Sequence, residues 1–525
     1  MTKSFLGYLA IAAALALGQQ QQRPGETPPG EQRPAQQARP QNEGARNEGP
    51  KAEPESFPEP KESVTHHTTS LRGRTLHYTA TAARMPVTDA EGKTEARMFY
   101  VAYTLDNAGP RRPLTFAFNG GPGSATIWLH MGAFGPKRVK LMPNGFMPAP
   151  PFEWEDNQNT LLDRSDLVFV DAIGTGYSRA VTQDLGKKFY DLQGDIAAFG
   201  EFIRLYLQKN SRWTSPLYLA GESYGTTRAA GLSGYLIDHG IALNGIVLIS
   251  TILNFQTASF TTGNDLPYIL YLPTYTMTAL YHHRLAPELE KDPESLRAEV
   301  EKWATTDYTL ALQKGDSLSA AERDSVADHL SRYTGLPKHY IEQLNLRVDL
   351  SHFDTELLRG KEEIVGRLDG RFTGPAQSAV EQRPEFDPSE AAIRPPYTSV
   401  FGDYVKQELG FQTDMTYYVL GGGIGRWDYD VSGWSGFADT SAALRHAFAK
   451  NPYMHVFIAE GMYDAATPYF AVDYTFDHMG LTAQAHKNIS KDHFNAGHMV
   501  YIDNASMEKL RDDIDRQYET ATPSQ

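Results

Sequence analysis

Between residues 114 and 459 the apolar positions of this chain gather into short runs: Leu114–Phe118, Leu167–Val170, Leu217–Ala220, Gly245–Ile249 and His455–Ala459. Each is too short for a helix and lacks the polar alternation of a half-exposed strand, which is how strands buried on both faces read. Stretches with helical spacing, including Gly194–Leu207 and Thr226–Ile237, lie between them. Strand and helix in alternation predict an α/β protein with a mostly parallel central sheet flanked by helices. Ahead of this pattern, Thr75–Thr81 and Ala96–Tyr103 are β-rich and flank the turn-like Asp89-Ala90-Glu91-Gly92. They predict an N-terminal antiparallel β-hairpin.

The rhythm breaks over 261–431. There Ala286–Lys314, Ala320–Thr334 and Pro337–Leu344 are helical in spacing and densely charged, behind an aromatic-rich start at Tyr268, Tyr271, Tyr275 and Tyr281. This span is read as a helical cap inserted over the C-terminal edge of the sheet, because insertions of such length usually serve function. It divides the α/β domain into 63–260 and 432–525. Residues 19–62 are mostly Gln, Pro, Glu, Gly and Arg and cannot bury enough surface to offset ordering, so they read as a disordered linker. In residues 1–18, Lys3, the apolar run Phe5–Leu17 and the small residues Ala16 and Gly18 form the pattern of a cleavable signal peptide. That run is too short to cross a bilayer comfortably. A periplasmic or secreted protein with no membrane span is expected.

Charge and cysteine content narrow the chemistry. The 525 residues carry a formal net charge of −15, which argues against a nucleic-acid partner. With no cysteine, thiol catalysis, disulfides and thiolate metal sites are excluded.

The strongest chemical signal is Gly221-Glu222-Ser223-Tyr224-Gly225, which follows the strand-like Leu217–Ala220 and opens a helix-like segment. G-x-S-x-G in that setting is a sharp turn that lifts a serine hydroxyl above a helix N-terminus, and it marks an α/β-hydrolase fold. Ser435, in Gly433-Trp434-Ser435-Gly436, lacks both the pattern and a preceding strand. A serine nucleophile needs a base and an orienting acid, which follow it in the order acid, then histidine. Asp464, in the loop after the last apolar run, is the preferred acid, with Glu460 and Asp473 as rivals. His498, freed by Gly497 and set before a helix starting near Ala505, is the candidate base; His486 and His493 read as surface or packed residues. A His493/His498 metal pair lacks helical zinc-motif spacing, so no metal or cofactor is expected. The turn Asn119-Gly120-Gly121-Pro122-Gly123-Ser124 follows a strand, and Gly121 with the N–H of Tyr224 are the expected oxyanion donors. No Lys-Ser/Thr follows these glycines, which sets a phosphate loop aside.

These motifs, with Val168-Phe169-Val170-Asp171, Gly174-Thr175-Gly176-Tyr177-Ser178 and Gly497-His498-Met499-Val500, resemble the serine carboxypeptidase family, particularly its bacterial members, from about Gly73 to Asp503. The resemblance implies a triad of Ser223, Asp464 and His498 and metal-free removal of C-terminal residues from peptides. It further implies a substrate-binding set of Asn119, Gly120 and Glu222, in which Glu222 must be protonated to meet a carboxylate. Two positions depart from the family pattern. Its tryptophan before the asparagine is Ala117 here, and its second carboxylate-binding glutamate is Ala133. An esterase, acyltransferase or other amide hydrolase on the same fold is the alternative. A non-catalytic exported binding protein is a third.

Overall fold

A computed structural model of the chain describes residues 58–109, 111–429 and 436–522. The signal-like segment, most of the linker and Ser435 lie outside the described residues. Of the linker, the described part includes Glu59, paired with Arg84, and Glu62, paired with Lys209.

One large sheet organises the fold. Its strands are β1 (Ser63–Leu71), β2 (Arg74–Thr88), β3 (Thr94–Leu105), β4 (Leu114–Phe118), β5 (Asp166–Val170), β6 (Leu217–Ser223), β7 (Gly245–Thr251), β8 (His455–Gly461) and β9 (Ile489–Phe494). The spatial order is β1-β2-β3-β5-β4-β6-β7-β8-β9, with the short strand Arg179–Ala180 beside β3. β1, β2, β3 and β5 pair antiparallel, and β5 through β9 run parallel. The expected hairpin is the β2–β3 pair, with Tyr78 opposite Leu105, and β1 adds a third strand to it.

The central parallel strands are mostly apolar because both faces are covered. Leu167 and Phe169 of β5 join one core, while Val168 and Val170 join the other. The second core is completed by α1 (Leu192–Lys209) and α2 (Tyr224–Asp238). Asp191 caps α1 by accepting from the N–H of Gly194, and the helix buries Ile196, Phe199, Phe202, Ile203 and Tyr206, the spacing of one helical face.

Residues 261–429 are largely helical, beginning with α3 (Leu266–Tyr281), and they build a core of their own around Tyr275, Tyr308 and Phe353. The insertion also enters the main core. Its helix α4 (Pro388–Gln407) runs through Pro395 and Pro396 and buries Tyr397, Phe401 and Tyr404 against the sheet face that carries Tyr103 and Phe169. A segment near Val419 straps across the glycine-rich turn: Ala125 N–H donates to Val419 O and Gly421 N–H to Gly123 O, both at 2.9 Å. Asn119 follows β4, Ser223 ends β6, Asp464 follows β8 and α5 (Asn504–Ala521) follows the loop that carries His498. The candidate residues thus come to the carboxyl ends of the parallel strands, where open α/β sheets present ligand sites.

Candidate active site

Ser223 is the last residue of β6 and the N-cap of α2, with φ 59° and ψ −131°. A non-glycine residue in this region carries strain of roughly 1–3 kcal/mol, held by the surrounding turn. The flanking glycines are required by space. A Cβ on Gly221 would lie 2.3 Å from Gly225 O, and one on Gly225 would lie 2.7 Å from Phe118 O. Gly120 packs as closely from the other side, where a Cβ would sit 2.4 Å from the main-chain N of Tyr224. Gly121 follows with φ 106°. Among the described residues no acceptor is found for the N–H of Gly121 or of Tyr224, so both are free to meet a ligand oxygen.

Asp464 is fully buried and accepts from Ala466 N–H (2.8 Å), Thr467 N–H (3.0 Å) and Thr467 Oγ1 (2.8 Å). Its Oδ2 also accepts from His498 Nδ1 at 2.8 Å. A proton held on Nδ1 by a carboxylate leaves Nε2 as the basic nitrogen. Burial is the largest influence on the His498 imidazole and pulls its pKa down, but the charge and hydrogen bond of Asp464, with Glu222, outweigh it and raise it above its usual value. The loop that carries His498 is held from three sides. His498 N–H donates to Leu368 O (2.6 Å), Gly497 N–H donates to Asp369 Oδ2 (3.0 Å), and Ser250 Oγ donates to His498 O (2.5 Å). Arg371 pairs with Asp369 and also donates to Asn495 O at 2.8 Å.

The rivals lie elsewhere. Glu460 turns to the N–H of Thr251, and burial pushes its carboxyl well above the usual range. Asp473 pairs with Lys491. His486 is exposed, and the His493 ring packs edge-on against Tyr469 at 4.9 Å rather than beside His498. No group of three metal-ligating side chains occurs among the described residues.

Glu222 faces the same cavity. Burial lifts its carboxyl to about 7, against the opposing pull of His498 and of hydrogen bonds from Tyr501 and Asn119. Tyr501 Oη donates to Glu222 Oε2 at 2.5 Å. Asn119 is fixed at both ends: Oδ1 accepts from Leu129 N–H (3.0 Å), and its main-chain O accepts from Arg228 Nη1 (2.7 Å). Arg228 is wholly buried against Asp195. Ala117 and Ala133 are both buried, and beside Ala133 the position of a Cβ on Gly132 is already filled, with Tyr397 Oη at 2.3 Å and the Tyr501 ring at 2.6 Å. Among the described residues a phenol, that of Tyr501, and not a second carboxyl, is hydrogen-bonded to Glu222.

Asn119, Gly121, Glu222, Ser223 and His498 line one cavity of about 130 Å3, lined from the inserted region by Arg367, Leu368 and Ile393. A larger cleft of about 800 Å3 near Phe255 and Tyr429 holds none of these groups. The cavity combines a strained hydroxyl, a carboxylate-oriented imidazole, two unspent N–H donors and a carboxyl that stays protonated below neutrality. Such a set suits attack on an acyl carbon by general-base catalysis. Tyr501, Arg367, Asp369 and Arg228 were not marked by the sequence, although Tyr501 stands only a short way past His498.

The family profile described as serine carboxypeptidase matches residues 86–353, a little over half of the chain. A serine carboxypeptidase family member from Dictyostelium discoideum is 26% identical over 181 residues, 34% of this chain and 39% of that protein. The retinoid-inducible serine carboxypeptidase of Rattus norvegicus is 30% identical over 147 residues, 27% of this chain and 29% of that protein. The matches thus span less than half the length of these curated relatives. Among solved structures, a prohormone-processing carboxypeptidase from Saccharomyces cerevisiae aligns at 15% identity and a TM-score of 0.49, covering 84% of this chain and 91% of that one. On the profile match over residues 86–353, the chain belongs to the serine carboxypeptidase family.

Proposed function

We propose that the protein is an exported serine-type carboxypeptidase that removes C-terminal residues from peptides through an acyl-enzyme on Ser223. His498 Nε2 takes the proton of Ser223 Oγ as that oxygen bonds to the scissile carbonyl carbon. The carbonyl oxygen, now negative, receives the N–H groups of Gly121 and Tyr224; each such donor is typically worth about a hundredfold or more in rate. His498 returns the proton to the amide nitrogen, the C–N bond breaks and the C-terminal residue leaves. Water then gives a proton to His498 and its hydroxyl to the acyl carbon; the ester bond to Ser223 breaks, His498 returns the proton to Oγ, and the shortened peptide leaves as the carboxylic acid. Asp464 holds the imidazole tautomer throughout.

The observation that carries exopeptidase action is Glu222, whose carboxyl is lifted to about 7 beside Asn119 in the Ser223 cavity. A protonated carboxyl can donate to a substrate carboxylate, whereas an ionised one repels it. Export is supported by the signal-like residues 1–18; among the described residues no helix is long and apolar enough to cross a membrane.

The test pairs an active-site probe with matched substrates. A fluorophosphonate probe should label the wild type and not Ser223→Ala, and N-blocked dipeptides with a free C-terminus should be cleaved in preference to their amides. Equal turnover of amides or simple esters supports the alternative hydrolase instead. An unlabelled wild type removes both enzymatic readings and leaves a binding protein.

A further inference from the structure

Among the described residues, the cavity holds one arginine that the mechanism above does not use. Arg367 lines it together with Ser223, Glu222 and His498. Its main chain is fixed: the N–H donates to Asp387 Oδ1 (3.2 Å) and the carbonyl accepts from Ala465 N–H (3.1 Å), the neighbour of Asp464. The next residue, Leu368, accepts from the N–H of His498 at 2.6 Å. The mount of Arg367 is therefore tied to both the acid and the base. Its guanidinium is exposed, and among the described residues it makes no ion pair or hydrogen bond.

The charged groups around it are otherwise engaged. Glu390, at the cavity edge, pairs with Arg394 at 3.0 Å. The Asp387 carboxylate also accepts from Leu368 N–H and Ser389 N–H. Asp354 is buried, which pushes its carboxyl well above the usual range against the opposing pull of Arg367. Asp464 is committed to His498 and Thr467. Apart from its attraction to the buried Asp354, the Arg367 guanidinium has no ion pair or hydrogen bond among the described residues, and a guanidinium fork is shaped to hold a carboxylate by two parallel hydrogen bonds.

We propose that Arg367 selects substrates by charge, favouring peptides whose C-terminal residue is acidic. This rests on the carboxypeptidase reading above, and it assigns that reading a substrate class. An aspartate or glutamate at the C-terminus brings two carboxylates. The main-chain one meets Asn119 and Glu222, and the side-chain one meets Arg367. A C-terminal lysine or arginine places like charge against the guanidinium.

The experiment compares N-blocked dipeptides that share their first residue and end in Glu, Gln or Lys, at pH 6, with amidated Gln as the control. Glu and Gln differ in charge at nearly constant shape. Wild type should show kcat/KM higher for Glu than for Gln by roughly fivefold to tenfold, as suits a partly solvated charge pair. Lys should be the poorest substrate, and added salt should narrow the spread. Arg367→Gln should bring the Glu-to-Gln ratio to about one, a ratio in which any change common to both substrates cancels. Arg367→Glu should favour Lys over Glu, an inversion that a structural role would not produce. A wild-type ratio of about one, a ratio indifferent to Arg367→Gln, or an equal loss on every substrate overturns the inference and leaves the carboxypeptidase reading standing. Failure of the wild type to cleave any free-carboxylate dipeptide overturns both.

Discussion

Replacing Glu222 by glutamine removes one titration and leaves a side chain of nearly the same shape, still able to accept from Tyr501 and to donate to a carboxylate. The ordinary glutamate value of 4.5 is lifted to about 7 here, with burial the largest cause. A raised acid binds its proton more tightly in the folded state. Its stabilisation is fully present below pH 4.5 and is lost as pH rises through 7. The shift corresponds to about 3 kcal/mol, at about 1.4 kcal/mol per unit. Relative to wild type, Glu222→Gln should therefore gain stability with rising pH, from close to none at pH 4 to about 3 kcal/mol at pH 8. Paired denaturant titrations at both pH values cancel the titrating groups that do not interact with residue 222. The same proton governs binding in the proposed mechanism. At pH 8 only about one tenth of Glu222 remains protonated, so kcat/KM of wild type on free-carboxylate peptides should fall about tenfold for each unit above neutrality. The variant should hold its rate over that range, and the two should not differ on ester substrates. Parallel pH curves for wild type and variant, in stability and in kcat/KM alike, would falsify the assignment of a protonated Glu222.

Four further outcomes follow from single contacts. Asp464→Asn keeps the packing but removes the preference for a proton on Nδ1 of His498, so kcat should drop by about 10^4 with an unchanged melting curve. Tyr501→Phe deletes the donor to Glu222 Oε2, a bond that lowers the carboxyl; the alkaline limb of the kcat/KM profile should move to higher pH, with a stability loss of about 1–2 kcal/mol in denaturant melts. Gly120→Ala forces a Cβ to 2.4 Å from Tyr224 N, and the purified protein should lose probe labelling at Ser223 or fail to fold by circular dichroism. Asp369→Asn loosens the hold on Gly497 N–H and the pairing with Arg371, so kcat should fall more than KM changes in steady-state assays.

How much of this was legible in the sequence depends on how far apart the cooperating residues stand. The central strands announced themselves because both faces are buried, which makes most of their positions apolar. The edge strands did not. In β1 the exposed positions alternate with half-buried ones, and β9 reads Ile-Ser-Lys-Asp-His-Phe, too polar to mark as a strand. The prolines within α4 would ordinarily signal a break, yet tertiary burial of Tyr397, Phe401 and Tyr404 carries the helix past them. The serine turn was readable because its constraints are local: two glycines, a strand before and a helix after. Tyr501 and Glu222 are separated by 279 positions, and nothing short of the fold shows that they touch.

That separation bears on the chemistry more than on the fold. Glu222 and His498 each shift the other: the imidazole pulls the carboxyl down, and the carboxyl raises the imidazole. With one proton between them, two arrangements carry the same net charge, one with Glu222 protonated and His498 neutral, the other with the charges separated. Only the first can both receive a carboxylate and act as a base. In the proposed mechanism, an incoming substrate carboxylate beside Glu222 disfavours the second arrangement, because two anions would then stand together with a single buried phenol between them and the core. Binding would thus draw the proton onto Glu222 and leave His498 ready to accept one from Ser223. A peptide amide gives no such bias, so discrimination between free and blocked C-termini should appear in kcat as well as in KM, and it should be lost from kcat in Glu222→Gln, whose residue 222 is neutral whatever binds.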